Sequence, residues 1–113
     1  MAEARLYDTS AAIELVARRR AEIIPGYISA ITAIEYPPAI PYSLGVIYPT
    51  KRDYKVAIVW QVKLRKLGSP LPAADLLIPA QAYNNQLELV TLDKHFAIIR
   101  EKLAPELKLV MNV

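Results

Sequence analysis

The sequence predicts an α/β fold in which a mainly parallel sheet of four to five strands is flanked by helices. Short apolar segments alternate along the chain with segments of helical periodicity. The apolar segments are bounded by proline, glycine or aspartate, as strands commonly are. The chain has 113 residues, of which 54% are hydrophobic, and this suffices for one domain with its own core. We therefore expect a single domain over residues 1–113.

The chain opens with a predicted strand and a predicted helix. Residues 5–7, "RLY", are short and apolar enough for a buried strand that ends at Asp8. A helix is expected from Ser10 to about Arg19 or Arg20, because apolar side chains recur there at helical spacing. Its glutamate comes early and its arginines come late, which is the charge order that a helix dipole favours.

A second strand and helix are predicted directly afterwards. The strand covers residues 26–30, and the helix covers residues 31–36 with Ser29 or Ala30 at its start. Two consecutive prolines follow, and they end the helix because proline cannot donate to the hydrogen-bond ladder and restricts the residue before it. Residues 37–49 are expected to form an irregular connector.

The second half of the chain predicts three helices and two strands. Thr50 caps a long helix with Asp53 at its third position, an arrangement like a capping box, and Gly68 follows the end of this helix. The remaining predictions are a helix within 69–86 entered near Pro72, a surface turn at 83–86, a strand over 87–92, a helix over 95–104 and a strand over 107–113.

Composition limits the possible functions. The chain has no cysteine, which excludes disulfides and thiolate metal sites. Its N-terminal segment lacks the apolar core of a signal peptide, and no apolar stretch is long enough for a bilayer, so we expect a cytoplasmic protein with no membrane partner. Basic residues cluster at 17–20, 51–52 and 63–66 within a net charge of +3. Such clusters attract polyanions, but they also suit helix C-termini, so charge permits a nucleic acid without selecting one.

Four carboxylates fall near the places where parallel strands would end. Asp8 follows the first predicted strand and Asp93 follows the strand over 87–92, while Glu35 and Asp75 lie on helices that reach the same edge if they begin there. Carboxylates that converge in a partly buried crevice become neutral unless a cation holds them ionised. Oxygen donors without histidine or cysteine suit Mg²⁺ or Mn²⁺. The placement therefore indicates a metal-dependent phosphodiesterase.

Each acid also has a purely structural explanation. Asp8 and Asp93 fit helix N-caps, and Asp75 fits the first turn of a helix, where negative charge is favourable. Glu35 is harder to explain in this way, because its segment "ISAITAIEY" is otherwise apolar apart from two hydroxyl residues. Spacing alone leaves both explanations open.

Four segments in this order resemble the PIN-domain family, in particular the small prokaryotic VapC-type toxins. They are "YDTSAAIELV", "ISAITAIEY", "LGSPLPAADLLIPAQA" and "LELVTLDKHF", and together they span nearly the whole chain. The resemblance implies a PIN-like three-layer fold. It also implies an Mg²⁺- or Mn²⁺-dependent endoribonuclease, the toxin component of a type II toxin–antitoxin pair.

The resemblance also assigns roles to individual residues. It implies that four acids bind metal and are catalytic: Asp8, Glu35, Asp75 and Asp93. Three hydroxyl residues are expected to hydrogen-bond these acids: Thr9, Ser10 and Thr91. For Ser10, simple helix capping is an equally good explanation. If Asp8 binds metal, the N-cap of the first helix is expected to be Thr9 or Ser10 instead. RNA phosphates are expected to contact Arg18, Arg19, Lys51, Arg52 and Lys94. The one histidine, His95, is assigned no catalytic role.

The implied partners are an RNA substrate, a cognate antitoxin and a second copy of the chain, with residues 36–60 as the apolar surface for association. Two departures from the family pattern bear on these roles. The interval from Glu35 to Asp75 is shorter than is usual, and Pro79 stands where alanine is common, so that a helix kink there would redirect Asp75. The shortened interval keeps open the alternative of an association module with weak or no nuclease activity. A second alternative, an RNA-processing nuclease that is not a toxin, is open because the sequence does not separate it from a toxin.

Overall fold

The computed structural model describes residues 4–113, so the first three residues of the predicted domain lie outside the described part. The described chain contains five strands: β1 Arg5–Tyr7, β2 Tyr27–Ser29, β3 Gly45–Ile47, β4 Glu88–Val90 and β5 Leu109–Val110. It also contains five α-helices: α1 Thr9–Ile13, α2 Ala30–Glu35, α3 Lys51–Lys66, α4 Ala73–Asn84 and α5 Phe96–Lys102. Among these helices, none combines the length and the hydropathy needed to cross a bilayer.

The strands form one sheet in the order β3-β2-β1-β4-β5, and every neighbouring pair is parallel. In the central register Leu6 pairs with Tyr27 on one side and with Leu89 on the other. The predicted α/β class with a parallel sheet is confirmed. Because all five strands are parallel, their carboxyl ends share one edge, which is where ligands bind in such sheets.

Alternating strand residues feed two hydrophobic clusters, one on each face of the sheet. Leu6 and Leu89 pack on one face with side chains from α3, α4 and α5. Their chain neighbours Tyr7 and Val90 pack on the other face with Ala11 of α1. Strands buried on both faces read as continuous apolar runs, which explains why their sequences lack polar alternation. The result is the predicted three-layer arrangement.

The prediction of an irregular connector over 37–49 is wrong. It contains a 3-10 helix over Pro37–Tyr42 and then the edge strand β3. Val46 packs against one hydrophobic cluster and Ile47 against the other, and Ile47 pairs with Ser29 of β2. The strand therefore forms because its side chains and backbone have partners that are distant in sequence, and not because three residues carry a periodic signal.

The first helix also differs from its prediction. Regular α-helix ends at Ile13, and a π-helical turn over Glu14–Arg18 continues to the predicted end near Arg19, whose N–H donates to the Glu14 carbonyl at 2.9 Å. The expectation that Thr9 or Ser10 caps this helix is wrong. Asp8 is the N-cap, because its Oδ1 accepts from the Ala11 N–H at 2.9 Å.

The long helix follows its prediction, and the elements after it differ at their ends. The capping box of Thr50 and Asp53 is present, and Ser29 caps α2 as expected. Helix α4 begins after Pro72, passes through the buried Pro79 and ends at Asn84, so the predicted turn at 83–86 starts two residues too early. The last two strands are shorter than predicted, since β4 covers residues 88–90 and β5 residues 109–110.

Candidate active site

A pocket of about 170 Å³ opens at the carboxyl ends of the central strands. All four acids that the sequence singles out line it, although they come from four separate segments of the chain. The lining residues are Asp8, Thr9, Ser10, Glu35, Asp75, Ile78, Asp93 and Phe96.

Asp8 is the most deeply buried of the four acids, with 4% of its surface exposed. It leaves the end of β1, where its N–H donates to the Val90 carbonyl at 3.0 Å. Its Oδ1 accepts from Ser10 Oγ at 2.7 Å and caps α1, while its Oδ2 accepts from Thr91 Oγ1. Burial raises the pKa of Asp8, the three hydrogen bonds partly oppose that rise, and the charge of Asp93 adds to it.

Thr91 joins Asp8 to the segment that carries Asp93. Its side chain is fully buried; its hydroxyl donates to Asp8 and accepts from the Asp93 N–H at 2.9 Å. Asp93 Oδ1 in turn accepts from the His95 N–H at 2.9 Å and lies 2.9 Å from His95 Nδ1. One buried hydroxyl thus joins the carboxylate of Asp8 to the backbone of Asp93, which lies 85 positions later in the chain.

Glu35 is the exposed member of the group and ends α2. Its Oε1 accepts from Thr9 Oγ1 at 2.7 Å, and Thr9 Oγ1 lies 3.0 Å from the hydroxyl of the buried Thr32. Thr32 is one helical turn before Glu35, on the same face of α2. A chain of two hydroxyl groups therefore positions the Glu35 carboxylate over α1.

Asp75 lies in the first turn of α4, and the buried Pro79 does not carry it away from the pocket. Burial raises the pKa of Asp75. The charges of Asp93 and then Glu35 raise it further, while His95 opposes the rise. Negative charge in this pocket is therefore costly without a compensating cation.

The donor set suits a hard divalent cation, because every candidate ligand is a carboxylate or hydroxyl oxygen. Within residues 4–113, however, no three acidic or histidine side chains are grouped closely enough to hold an ion as they stand. The donor chemistry of the site therefore fits Mg²⁺ or Mn²⁺, and binding of either ion would require carboxylates to rotate toward it. The exposed Glu35 has the room to do so.

The five predicted RNA-contacting residues are not brought together. Arg18 and Arg19 both pair with Glu14, at 3.3 and 3.5 Å, on the π-helical turn. Arg52 lines a different cavity of about 440 Å³, and Lys51 is exposed at the start of α3. Lys94 alone of the five lines a cavity together with one of the acids, Asp75.

Two features of the site were missed from the sequence. Thr32 supports Thr9 and Glu35, and its spacing of three residues from Glu35 on one helix could have revealed it. Ile78 and Phe96 form the apolar lining of the pocket, and no local signal distinguishes them from other core residues. The three predicted hydroxyl residues, Thr9, Ser10 and Thr91, each hydrogen-bond an acid of the pocket.

The strand order and the acidic pocket at the strand ends define a PIN-like α/β fold. The chain superposes on VapBC-5, a member of the VapBC family of toxin–antitoxin systems from Mycobacterium tuberculosis, with a TM-score of 0.72 and 17% identity over 98% of this chain and 100% of that one. For VapBC2 from Rickettsia felis, bound to a DNA fragment from its promoter, the TM-score is 0.67 at 18% identity, covering 92% and 96%.

A toxin–antitoxin complex from Klebsiella pneumoniae gives a TM-score of 0.62 at 23% identity, covering 83% of this chain and 91% of that chain. No family model and no curated protein matches the chain. At these identities the likeness establishes the fold, and the predicted resemblance to PIN-domain toxins is confirmed at that level.

Proposed function

We propose that the protein is an Mg²⁺- or Mn²⁺-dependent endoribonuclease and the toxin component of a toxin–antitoxin pair. The observation that supports this most directly is the convergence of Asp8, Glu35, Asp75 and Asp93 on one pocket. The raised pKa values of Asp8 and Asp75 add to it, since they reflect burial and mutual repulsion that a cation would relieve. The fold shared with VapBC structures supports the toxin role.

In this proposal the four carboxylates hold the cation, which when bound neutralises charge on a phosphodiester and favours attack by water. Asp8 is held in place by three donors and therefore serves as the fixed ligand. Thr91 keeps Asp93 beside it, and Thr9 keeps Glu35 over the same pocket. Ile78 and Phe96 line the pocket with apolar surface, which limits the number of waters near the reacting phosphate.

The partners proposed with this function are RNA, an antitoxin and a second copy of the chain. Helix α3 carries three large apolar residues that are exposed and four apart, so they form one stripe: Tyr54 at 51%, Ile58 at 63% and Val62 at 50%. Exposed apolar stripes of this kind mark protein interfaces. The stripe lies partly within the predicted surface 36–60 and also favours the second candidate function, association without nuclease activity. Light scattering on the Ile58→Glu variant tests whether this stripe is an interface. If it is, the variant should form a species of lower molecular mass than the wild type does.

Cleavage assays test the enzymatic proposal. Single-stranded and structured RNA are incubated with the protein and Mg²⁺, Mn²⁺ or EDTA. We expect metal-dependent internal cleavage that falls at least a hundredfold in Asp8→Asn and in Asp93→Asn, since each removes a charge from the cluster. Glu106→Gln removes an exposed carboxylate outside the pocket and should leave cleavage unchanged.

Three results would count against the nuclease. They are cleavage that persists in EDTA, full activity in both aspartate variants, or no cleavage of any RNA by a folded wild-type protein. The last of these, together with a stable self-associated species, would support the association module instead. Growth arrest on induced expression in a bacterial host, absent in Asp8→Asn, separates a toxin from an RNA-processing nuclease.

A further inference from the structure

The cavity of about 440 Å³ that Arg52 lines lies at the edge of the sheet opposite the acidic pocket. We call it the Arg52 cavity. Besides the start of α3 and the end of α4, it is lined by Gln86 and Leu87, which directly precede β4, and by Lys108, which directly precedes β5. Strand β4, whose three residues span about 10 Å, separates this edge from the acidic pocket. Within residues 4–113 no residue lines both, so the Arg52 cavity is a separate site.

A buried carboxylate joins the two helices that line the Arg52 cavity. Asp53 is 1% exposed; its Oδ1 accepts from Asn84 Nδ2 at the end of α4 at 2.8 Å, and its Oδ2 accepts from the Thr50 N–H before α3 at 2.8 Å. Beside them the Tyr83 ring packs edge-on against Trp60 of α3, with the ring centroids 5.5 Å apart. The α3 and α4 sides of the cavity therefore keep their shape before any ligand binds, which lowers the entropic cost of binding.

Gln86 has a backbone conformation that favours glycine. Helix α4 ends in a Schellman motif, in which the Leu87 N–H donates to the Ala82 carbonyl at 2.9 Å and the Gln86 N–H donates to the Tyr83 carbonyl at 3.4 Å. The residue just past the helix in this motif is usually glycine because its φ is positive, and the φ of Gln86 is +54°. The chain thus holds an amide side chain in the lining of the cavity at a cost in backbone strain. The amide is exposed, and among the described residues it has no hydrogen-bond partner.

The charged and apolar groups of the lining define the chemistry of a ligand. Among residues 4–113 the lining has two cations, Arg52 and Lys108, and one carboxylate, Glu106, which leaves an excess of one positive charge. Arg52 is exposed and forms no salt bridge with another described residue, and its planar fork of donors matches two oxygens of a phosphate. Ala82 and Leu87 add apolar surface. A volume of about 440 Å³ lies within the range of small-molecule sites.

We infer that the Arg52 cavity binds a free nucleoside monophosphate. Arg52 and Lys108 contact its phosphate, and its base lies against Tyr83 and Leu87. The Gln86 amide offers a donor and an acceptor side by side, which match the donor and acceptor on one edge of adenine, so the preferred ligand is an adenine nucleotide. The need for this amide explains why glycine is absent from the position. The inference does not depend on the proposed nuclease, because it concerns a second ligand at the other edge of the sheet.

Nuclear magnetic resonance tests the Arg52 cavity without any catalytic readout. Adenosine 5′-monophosphate, guanosine 5′-monophosphate, adenosine and inorganic phosphate are titrated separately into ¹⁵N-labelled full-length protein in EDTA. We expect the amide signals of Arg52, Gln86, Leu87 and Lys108 to shift together, most strongly with the adenine nucleotide. Shifts confined to the acidic pocket, equal shifts with phosphate or with adenosine alone, or no shift at millimolar nucleotide would overturn the inference.

The same titration on two arginine variants tests the phosphate contact. Arg52→Ala should raise the Kd of the adenine nucleotide about two- to fivefold, the size expected for one exposed charge pair. The matched control is Arg65→Ala, which removes the same exposed side chain from the other end of α3, outside the cavity, and should leave the Kd unchanged. Equal effects of the two variants would show that the nucleotide follows net charge and would refute a specific site.

Two variants of Gln86 separate a ligand-binding role from a structural one. Gln86→Gly relieves the positive φ, so its melting temperature should rise by a few degrees while its Kd for the adenine nucleotide rises at least about twofold. Gln86→Ala removes the amide but keeps a Cβ, so it should lose the same affinity without the gain in melting temperature. A more stable Gln86→Gly that binds as tightly as the wild type would refute the role given to this amide.

Two further results distinguish the Arg52 cavity from the acidic pocket and from RNA binding. The shifts should persist in Asp8→Asn, since this acid lies at the other edge of the sheet; their loss there would place the nucleotide in the acidic pocket and overturn the inference. A short RNA with a 5′-phosphate that moves the same signals at lower concentration than the free nucleotide would assign the cavity to RNA instead.

Discussion

Replacing Thr91 by valine tests whether the acidic pocket is organised as its hydrogen bonds indicate. The side chain is fully buried and its hydroxyl serves two acids at once, donating to Asp8 Oδ2 and accepting from the Asp93 N–H. Valine has nearly the same shape and can do neither. The substitution therefore removes the hydroxyl while leaving the packing almost unchanged.

Two losses determine the size of the effect on the free energy of unfolding. A hydrogen bond to a charged group contributes about 1.5 to 3 kcal/mol, and a partly buried N–H left without its acceptor adds up to about 1 kcal/mol. Thr91→Val should therefore cost about 2 to 4 kcal/mol near pH 7. Thr32→Val is the matched control. Within the described part of the chain this buried hydroxyl bonds only the neutral hydroxyl of Thr9, so the substitution should cost about 1 kcal/mol.

The cost should also depend on pH, with a definite sign. Burial raises the pKa of Asp8 above its value in the unfolded chain, so the folded protein holds its proton more tightly. The corresponding stability is complete below the unfolded pKa and is lost as the pH rises through the folded pKa. Thr91→Val removes a hydrogen bond to the charged form and raises the folded pKa further. The variant therefore loses more stability than the wild type as the pH rises to about 7. The difference between their free energies of unfolding becomes smaller at a pH where Asp8 is protonated in both.

Urea unfolding of the metal-free protein measures this at about pH 7 and about pH 4. The expected result is a Thr91→Val cost that falls by 1 kcal/mol or more on acidification, while the Thr32→Val cost changes by less than about 0.5 kcal/mol. A Thr91→Val cost that is the same at both pH values, or no larger than that of the control, would refute the role given to this hydroxyl.

Three further changes have expected outcomes. Asp75→Asn should raise the melting temperature of the metal-free protein at about pH 7, because burial and two neighbouring carboxylates raise the pKa of this carboxyl. The melting temperature of the variant should also increase less on acidification than that of the wild type. An effect no larger than that of Glu106→Gln would contradict this. Gly26→Ala should cost about 1 to 3 kcal/mol in urea unfolding, because its Cβ would lie 2.7 Å from a backbone oxygen of β1, whereas Gly45→Ala meets only ordinary contacts at 3.5 Å and should cost clearly less. Thr50→Ala should cost about 1 kcal/mol by removing the cap of α3, and an unchanged urea midpoint would show that the capping box contributes nothing.

The sequence predicts that four acids converge, and all four line one pocket, but it also sets up a false choice at Asp8. In the sequence, Asp8 can be interpreted either as a helix cap or as a member of a charged site, and these exclude each other only if the residue has a single role. A carboxylate has two oxygens with about four acceptor positions. Asp8 uses Oδ1 to cap α1 and accept from Ser10, and Oδ2 to accept from Thr91 inside the pocket. The two roles reinforce each other, because the cap fixes the orientation of the carboxylate that the site needs.

The parts that sequence reasoning missed depend on contacts between distant residues. Strand β3 has three residues and exists because it pairs with β2 and packs on both clusters, which no local pattern reveals. The cavity that Lys94 and Asp75 line brings residues 69–72 to the start of α5, more than twenty positions away. The starts of α2 and α3, by contrast, could be predicted, because the capping residues Ser29 and Thr50 lie beside the backbone groups that they cap.

The four acids differ in how firmly they are held, and this difference has a chemical consequence. Asp8 is buried and bonded to three donors, whereas Glu35 is exposed and, among residues 4–113, hydrogen-bonded to Thr9 alone. In the proposed nuclease, one fixed ligand would set the position of the cation, and one exposed ligand could follow it as the cleaved phosphodiester leaves. Substitutions that loosen Asp8 should therefore weaken cation affinity and catalysis together. Removing the Thr9 hydroxyl should instead change mainly the approach of Glu35, because the fixed part of the cluster keeps all of its donors.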